Sequence, residues 1–439
     1  MFDIVFVISF LIVPFFAFLF MHVSKISILE VSIPSFLILS MFLYAYIGIL
    51  VLYFGWDDYR YSIGIQDRQL IFRMLVYSSW SIIGLILGFV YARAILRAKS
   101  VTINSRPRPL KKREVFFTLL AFMLCSLVLI LYLKKLSSIA IVVAFLDGIK
   151  DAGVARSSMA NDFSGKYHWY SVFMHDLMNV VTFTLFSNWL VTKNKSAFIF
   201  FSVSFLFSAF AVIMTTEKGP FAWLVIGLYL VYCLSVKNGK MNIKALMKLF
   251  IIIILTLVVF YILLMGSNSF TSALGSVISR AFTGGISTSY FYLEFFPNHH
   301  DFLFGRSFPN PGGMLPFDYY ALTVEIMKWK FPGSGDVVGS APTVFWGEMY
   351  ANFGIYGILM SPFFIGVGVY FIAYFFNRLE NTPLKVGFMV WLILHYRTIA
   401  STSLSGFMLD LYLFVVGGAI ALIIAFSNKL VIKLRSISI

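Results

Sequence analysis

The sequence predicts an all-α, polytopic integral membrane protein with about 11 transmembrane helices, organised as a single transmembrane domain over residues 1–439. Three observations predict it. First, 60% of the residues are hydrophobic and only 12% charged, with a mean hydropathy of +0.89, whereas soluble domains are roughly half apolar and one-quarter charged. Second, stretches such as 2–21, 33–54 and 249–265 hold at most one charged residue over the roughly 17 to 25 residues that a helix needs to span a bilayer. Third, the basic residues gather in alternate short loops, the pattern that orients helices in a membrane.

Taken in order, the apolar runs place helices at 2–22, 33–54, 70–92, 115–133, 171–192, 196–214, 220–236, 249–266, 347–376, 386–400 and 407–426. Each must satisfy its own backbone hydrogen bonds, so helix is the expected form. The first run carries Asp3 where a signal peptide has a basic leader, and no small-residue cleavage site follows, so it is expected to be a retained helix. Cys125 and Cys233 fall within spans and are expected to be buried apolar side chains.

The loops form two alternating sets. One holds Lys25, Arg93, Arg97, Lys99, Arg106, Arg108, Lys111 to Arg113, Lys193, Lys195, Lys237, Lys240, Lys244, Lys248, Arg378, Lys385 and the tail residues Lys429, Lys433 and Arg435, accompanied by Glu30 and Glu380. The other set is balanced in charge. The first is therefore expected in the cytoplasm, which makes 93–114 a basic cytoplasmic loop and puts the N-terminus outside and the C-terminus inside. It also makes external segments of 134–170, 215–220 and 267–346. The net charge of +15 thus serves topology, and no nucleic-acid partner is expected. The large external loop before the ninth helix is too long for a mere connector. It is rich in Gly, Pro and aromatics, as in Phe308-Pro-Asn-Pro-Gly-Gly-Met-Leu-Pro-Phe-Asp-Tyr-Tyr320, and its spacing predicts a short helix over 318–330. No internal repeat points to a transporter.

Ionisable residues within spans are costly and mark function by default. Here Arg73, His175, Asp176, Asn179, Glu217, Lys218, Glu348, Asn352, His395, Arg397 and Asp410 all fall at the outer end of a helix under this topology. A proton or ion pathway would spread such groups through the bilayer depth; their convergence on one leaflet predicts a shared outward-facing site. Arg156, Lys218, Arg280, Arg306 and Arg397 suit phosphate oxygens, arginine by two parallel hydrogen bonds. Glu348, Asp318, His299 and His300 are candidate general bases for a hydroxyl nucleophile. The adjacent histidines lack a third ligand at supporting spacing, so no metal is expected. Trp329, Tyr319, Tyr320, Phe308 and Phe317 either stack on sugar faces or belong to an interfacial aromatic belt. Gly312-Gly313 and Gly333-Ser-Gly335 lack the strand, helix and lysine of a phosphate loop, so no nucleotide cofactor is expected.

Two segments carry a family resemblance: Thr215-Thr-Glu-Lys-Gly-Pro220 between two spans, and Ser340-Ala-Pro-Thr-Val-Phe-Trp-Gly-Glu-Met-Tyr-Ala-Asn-Phe-Gly-Ile-Tyr-Gly357 leading into a late span. With the helix number and the single large late loop, the chain resembles the bacterial oligosaccharide repeat-unit polymerases, the O-antigen and capsule polymerases of the Wzy type. The resemblance covers most of the chain. It implies a membrane-helical, lipid-carrier-dependent glycosyltransferase of the bacterial inner membrane that uses no nucleotide sugar. The growing glycan on undecaprenyl pyrophosphate would be the donor and a single lipid-linked repeat unit the acceptor, with undecaprenyl pyrophosphate released. Membrane lipid and a chain-length regulator protein are the other partners implied.

In that family external arginines bind the pyrophosphate, and Arg156 and Arg280 stand in the corresponding loops. Arg280 is the first choice for the leaving group, with Arg156 and Arg306 next. Lys218 replaces the arginine more usual in the turn and loses its bidentate fork. Glu348 is the expected base or orienting acid, alongside His299 and His300, while Arg397, Asp318 and Asn352 are expected to contact pyrophosphate or glycan. An O-antigen ligase is the nearest rival within the enzymes; a lipid-linked oligosaccharide flippase and a noncatalytic scaffold are rivals outside them.

Overall fold

In an apolar solvent every backbone amide must find its partner within the chain, and this chain does so by coiling into helices almost throughout. A computed structural model describes residues 2–98, 105–146, 148–160, 163, 166–265, 269–333, 339–405 and 410–427. In chain order the helices are α1 (Phe2–Val23), α2 (Ile33–Ala45), α3 (Ile47–Tyr53), α4 (Asp58–Ser62), α5 (Arg68–Leu96), α6 (Lys112–Leu133), α7 (Ala140–Leu146), α8 (Ile149–Ala160) and α9 (Tyr167–Ser171). They continue with α10 (Met178–Thr192), α11 (Lys195–Ile213), α12 (Lys218–Val236), α13 (Ile243–Met265), α14 (Phe270–Ile278), α15 (Gly284–Phe295), α16 (Leu322–Lys330), α17 (Phe345–Asn377), α18 (Pro383–Tyr396) and α19 (Leu411–Ser427). Two π-helical turns, Val172–Leu177 and Ser279–Thr283, lead into α10 and α15. Among the described residues there is no strand, only an isolated antiparallel bridge between Glu30 and Lys240.

Among the described residues eight helical stretches are long and apolar enough to cross a membrane: Asp3–Val23, Ile33–Tyr53, Arg68–Leu96, Lys112–Leu133, Lys195–Ile213, Gly219–Val236, Ile243–Leu263 and Phe345–Asn377. The chain is thus an all-helical, membrane-embedded protein. The three other expected spans are helical but shorter, because 171–192 contains a π turn, α18 stops after 14 residues in a 3₁₀ turn and α19 has 17. The expected late loop is itself partly helical, holding α14 to α16, and α16 begins at Leu322 rather than 318. Residues 99–104, 147, 161–162, 164–165, 267–268 and 334–338 of the three expected loops, and the tail basic residues, lie outside the described residues. Cys125 and Cys233 are buried and unpaired, as expected.

The chain packs as two compact units. One comprises Met1–Asn104, Gly239–Leu379 and Leu392–Asp410, the other Ser105–Asn238, Glu380–Trp391 and Leu411–Ile439. In the first unit α5 and α17 lie side by side in the same direction, since Trp346 Nε1 at the start of α17 donates to Ser78 Oγ at 3.1 Å and Gly88 meets Phe363 and Gly366 further along both helices. Their backbones touch. A Cβ on Gly88 would lie 2.3 Å from the Phe363 carbonyl oxygen, and one on Gly366 would lie 2.3 Å from that of Leu85. Small residues permit this approach, which replaces the hydrophobic drive that lipid removes. At one end of the unit Arg93 donates to the Val23 carbonyl, and residues 29–31 pair with 239–241. At the other end Tyr290 Oη accepts from the Asp67 amide and Leu303 N donates to the Ala351 carbonyl. Loops that the charge pattern sorts into one set therefore meet one another.

In the second unit α10 packs on α6, α11 and α12, with Gly227 against the Phe183 ring and Gly387 against Thr184. Arg108 forks onto Glu114, with both bonds at 2.7 Å, and also donates to Glu380 at 2.5 and 3.0 Å. These bonds join two more loops of the basic set. Hydrogen bonds from Arg108 hold Glu380 below the usual carboxylate range.

The α5–α17 contact yields a direct test. Gly88→Leu is expected to lower thermal stability in detergent by the about 1–3 kcal/mol typical of overpacking, or more, whereas Gly368→Leu, which has nothing within 4 Å of a built Cβ, leaves it unchanged. Intrinsic-fluorescence melting of the two purified variants checks this, and equal melting temperatures would refute the close contact.

Candidate functional site

Two polar clusters in the first unit are built around buried carboxylates. The first opens α17. Glu348 and Asn352, one turn apart, are almost fully buried. Glu348 Oε1 accepts from Ser307 Oγ and Ser405 Oγ, both at 2.9 Å, and Oε2 accepts from the Ser405 amide at 3.1 Å. Asn352 Nδ2 donates to Ser307 Oγ at 2.7 Å, while its Oδ1 accepts from the Gly305 amide at 2.9 Å. Gly354, at φ +59°, breaks the helix just beyond, where Phe302 lies against it. These bonds fix residues 303–307 and 403–405 to the start of α17. Both carboxylate oxygens thus accept hydrogen bonds from segments outside α17. Next to it on α17 an open groove of about 460 Å³ is lined by Met349, Phe353, Tyr356, Met360, Phe364 and Leu404 among others, nearly all apolar.

The second cluster surrounds Arg280. Asp57 Oδ2 accepts from Ser279 Oγ at 2.8 Å and Thr283 Oγ1 at 2.6 Å, at the two ends of the π turn. Arg60 donates its amide to Asp57 Oδ1 at 3.2 Å and Nη1 to Oδ2 at 3.3 Å, and also donates to Ser279 Oγ. The Asp57 and Arg60 side chains are only 5% and 12% exposed. Gly48 on α3 lets the turn close in, because a Cβ there would lie 2.0 Å from the Phe282 carbonyl oxygen. Burial pushes the Asp57 carboxyl up, but hydrogen bonds from Thr283, Ser279 and the Arg60 amide, with the Arg60 charge, carry it below the usual range. Arg280 itself is exposed, and among the described residues it makes no ion pair.

The other expected residues lie elsewhere. His299 is exposed with its ring 5.1 Å from that of Trp329, and the His300 ring lies 4.9 Å from that of Tyr320. His300 Nδ1 is 2.6 Å from the Asp301 carbonyl. Arg306 is half-buried and its carbonyl accepts from the Tyr320 amide, while Asp318 is exposed just before α16. Arg397 sits on a 3₁₀ turn packed against α2, and His395 Nε2 lies 3.9 Å from Asp410. In the second unit Arg156 is exposed on α8, Lys218 opens α12, Asp176 Oδ1 accepts from Trp391 Nε1 at 2.9 Å and Asn179 accepts from Ser208. Among the described residues no three His, Cys, Asp or Glu side chains converge as metal ligands.

Of the expected residues, Glu348 and Asn352 share a hydrogen-bonded cluster through Ser307. Asp57, Arg60, Ser279, Thr283, Ser307 and Ser405 were not among those expected. The available signal was the Ser279 and Thr283 pair, four apart around Arg280. The fold and these clusters define a membrane-embedded helical protein with an exposed arginine on a π turn that is hydrogen-bonded to a buried carboxylate. No family model, curated protein or solved structure matches the chain.

Asp57 sets a pH dependence. Its folded value is depressed, so its contribution is present above the unfolded value of about 3.9 and is lost as pH falls through the folded one. Melting curves from pH 7 to 3 are expected to show a steeper acid loss in the parent than in Asp57→Asn, which starts less stable at pH 7. Parallel curves would contradict the cluster. Glu348→Ala, which strands the Ser405 amide, is expected to cost about 1–3 kcal/mol. Ser405→Ala, which keeps that amide bond, is expected to cost less, and the same melting assay ranks the two.

Proposed function

We propose that the chain is a lipid-linked oligosaccharide polymerase, joining undecaprenyl-pyrophosphate-linked repeat units on the outer face of the bacterial inner membrane. The N-terminus then lies outside and the C-terminus in the cytoplasm, as the basic loops require. The observation that carries the reading is Arg280: exposed, without an ion pair among the described residues, and mounted on a turn whose hydroxyls are tied to a buried carboxylate. Such a guanidinium is a fixed positive charge awaiting an anion.

The chemistry fits that charge. An acceptor sugar hydroxyl attacks the donor's anomeric carbon, the bond from that carbon to the pyrophosphate oxygen breaks, and negative charge grows on the departing lipid pyrophosphate. A preorganised cation placed where that charge develops lowers the barrier without moving at the moment of reaction. In this reading Arg306 and Arg397, in the same unit as Arg280, are further cations for phosphate oxygens. His299, exposed beside Trp329, takes the hydroxyl proton, and Trp329 and Tyr320 stack on sugar faces. Glu348 and Asn352 hold the loop rather than exchange a proton. The apolar groove on α17 gives the carrier's hydrocarbon tail a surface to lie on.

Arg280→Ala is expected to leave the protein inserted and folded but to abolish long glycans in cells, leaving the carrier capped with single repeats. Gel separation of the extracted glycans reads the result, and normal chain lengths would sink the assignment.

A further inference from the structure

We propose that Asp57 is a positioning residue that aims Arg280 by pinning both ends of the π turn. The inference rests on the function assigned to Arg280 above. A π turn inserts an extra residue into a helical coil, and such turns are rare and frequent at functional sites. One oxygen of Asp57 accepts from Ser279 and from Thr283, the first and last residues of the turn.

Asp57 is itself immobilised. It caps the short helix α4 through the Arg60 amide, and the Arg60 guanidinium closes over it while also touching Ser279. Gly48 completes the seat by letting the Phe282 carbonyl approach α3. Ser279 and Thr283 face the carboxylate; Arg280, between them in sequence, is exposed. Cutting either hydroxyl tether frees the turn to relax toward regular α-helix, which rotates Arg280 relative to α3 and α4. Ångström-scale misplacement of a charge that must meet a leaving group costs turnover and leaves acceptor binding intact.

Full-length protein in lipid nanodiscs, given lipid-linked repeat units, separates this role from a merely structural one. Asp57→Ala is expected to lower kcat by about 100-fold with KM for the acceptor changed less than about threefold. Asp57→Asn keeps an oxygen for both hydroxyls and is expected to restore most of kcat, and Thr283→Val, close in shape to threonine, to reproduce part of the loss. Equal loss in Asp57→Asn and Asp57→Ala, or unchanged kcat in Asp57→Ala and Thr283→Val, would overturn the proposal. If Asp57→Ala fails to fold, Thr283→Val alone decides.

A second readout does not depend on activity. Spin labels on Arg280→Cys and Ser62→Cys, both exposed positions, report the orientation of the turn, while Cys125 and Cys233 are buried and stay unlabelled. A single narrow distance in the parent that broadens with Thr283→Val supports pinning, and an unchanged distribution overturns it. A parent that makes no polymer while the distances broaden as expected refutes the polymerase reading and leaves the positioning role standing.

Discussion

The first unit depends on one contact, the backbone-to-backbone approach of α5 and α17. A chain surrounded by hydrocarbon gains little from hiding apolar side chains, so its helices must be held by close packing and by the few polar bonds they share. Gly84, Gly88 and Gly366 provide the first, and the Trp346 to Ser78 bond provides the second. With α17 set against α5, the start of α17 is fixed, and Glu348 and Asn352 gather residues 303–307 and 403–405 around it. The polar end of the unit is thus organised from its apolar interior outward.

Charge is used in two ways at that end. Buried carboxylates are costly unless hydrogen-bonded, and both Asp57 and Glu348 are surrounded by donors, so they serve as fixed points for backbone segments. Arg280 is the reverse case, a cation left exposed on a turn whose first and last hydroxyls bond to a buried carboxylate. Arg108 in the second unit shows the structural alternative, since its guanidinium is fully engaged by Glu114 and Glu380.

The helices were legible because apolar runs of spanning length have few other solutions, and the sorting of loops by charge matches the pairings at Glu30 with Lys240 and at Arg108 with Glu380. The breaks were not. The π turns at 172–177 and 279–283 and the kink at Gly354 interrupt otherwise helical runs, and the contacts of the second turn with Asp57 and of Gly354 with Phe302 are distant in sequence, so no local periodicity announces them. For the same reason the sequence singled out Glu348 as a costly residue within a span and Arg280 as a loop cation suited to phosphate, but passed over Ser307, Ser405 and Asp57, which bond to segments distant in sequence. Glu348 read in sequence as a base or an orienting acid because it lies among polar groups at the outer helix ends; its bonds to Ser307 and Ser405 become visible only when the chain is folded.

The central claim is tested most directly by giving the purified protein, in a lipid bilayer, polyprenyl-pyrophosphate-linked repeat units and no nucleotide sugar. The account predicts a ladder of glycans differing by one repeat, with one lipid pyrophosphate released per bond formed. Repeat units that stay single, or that cross between leaflets without any glycosidic bond forming, would contradict it.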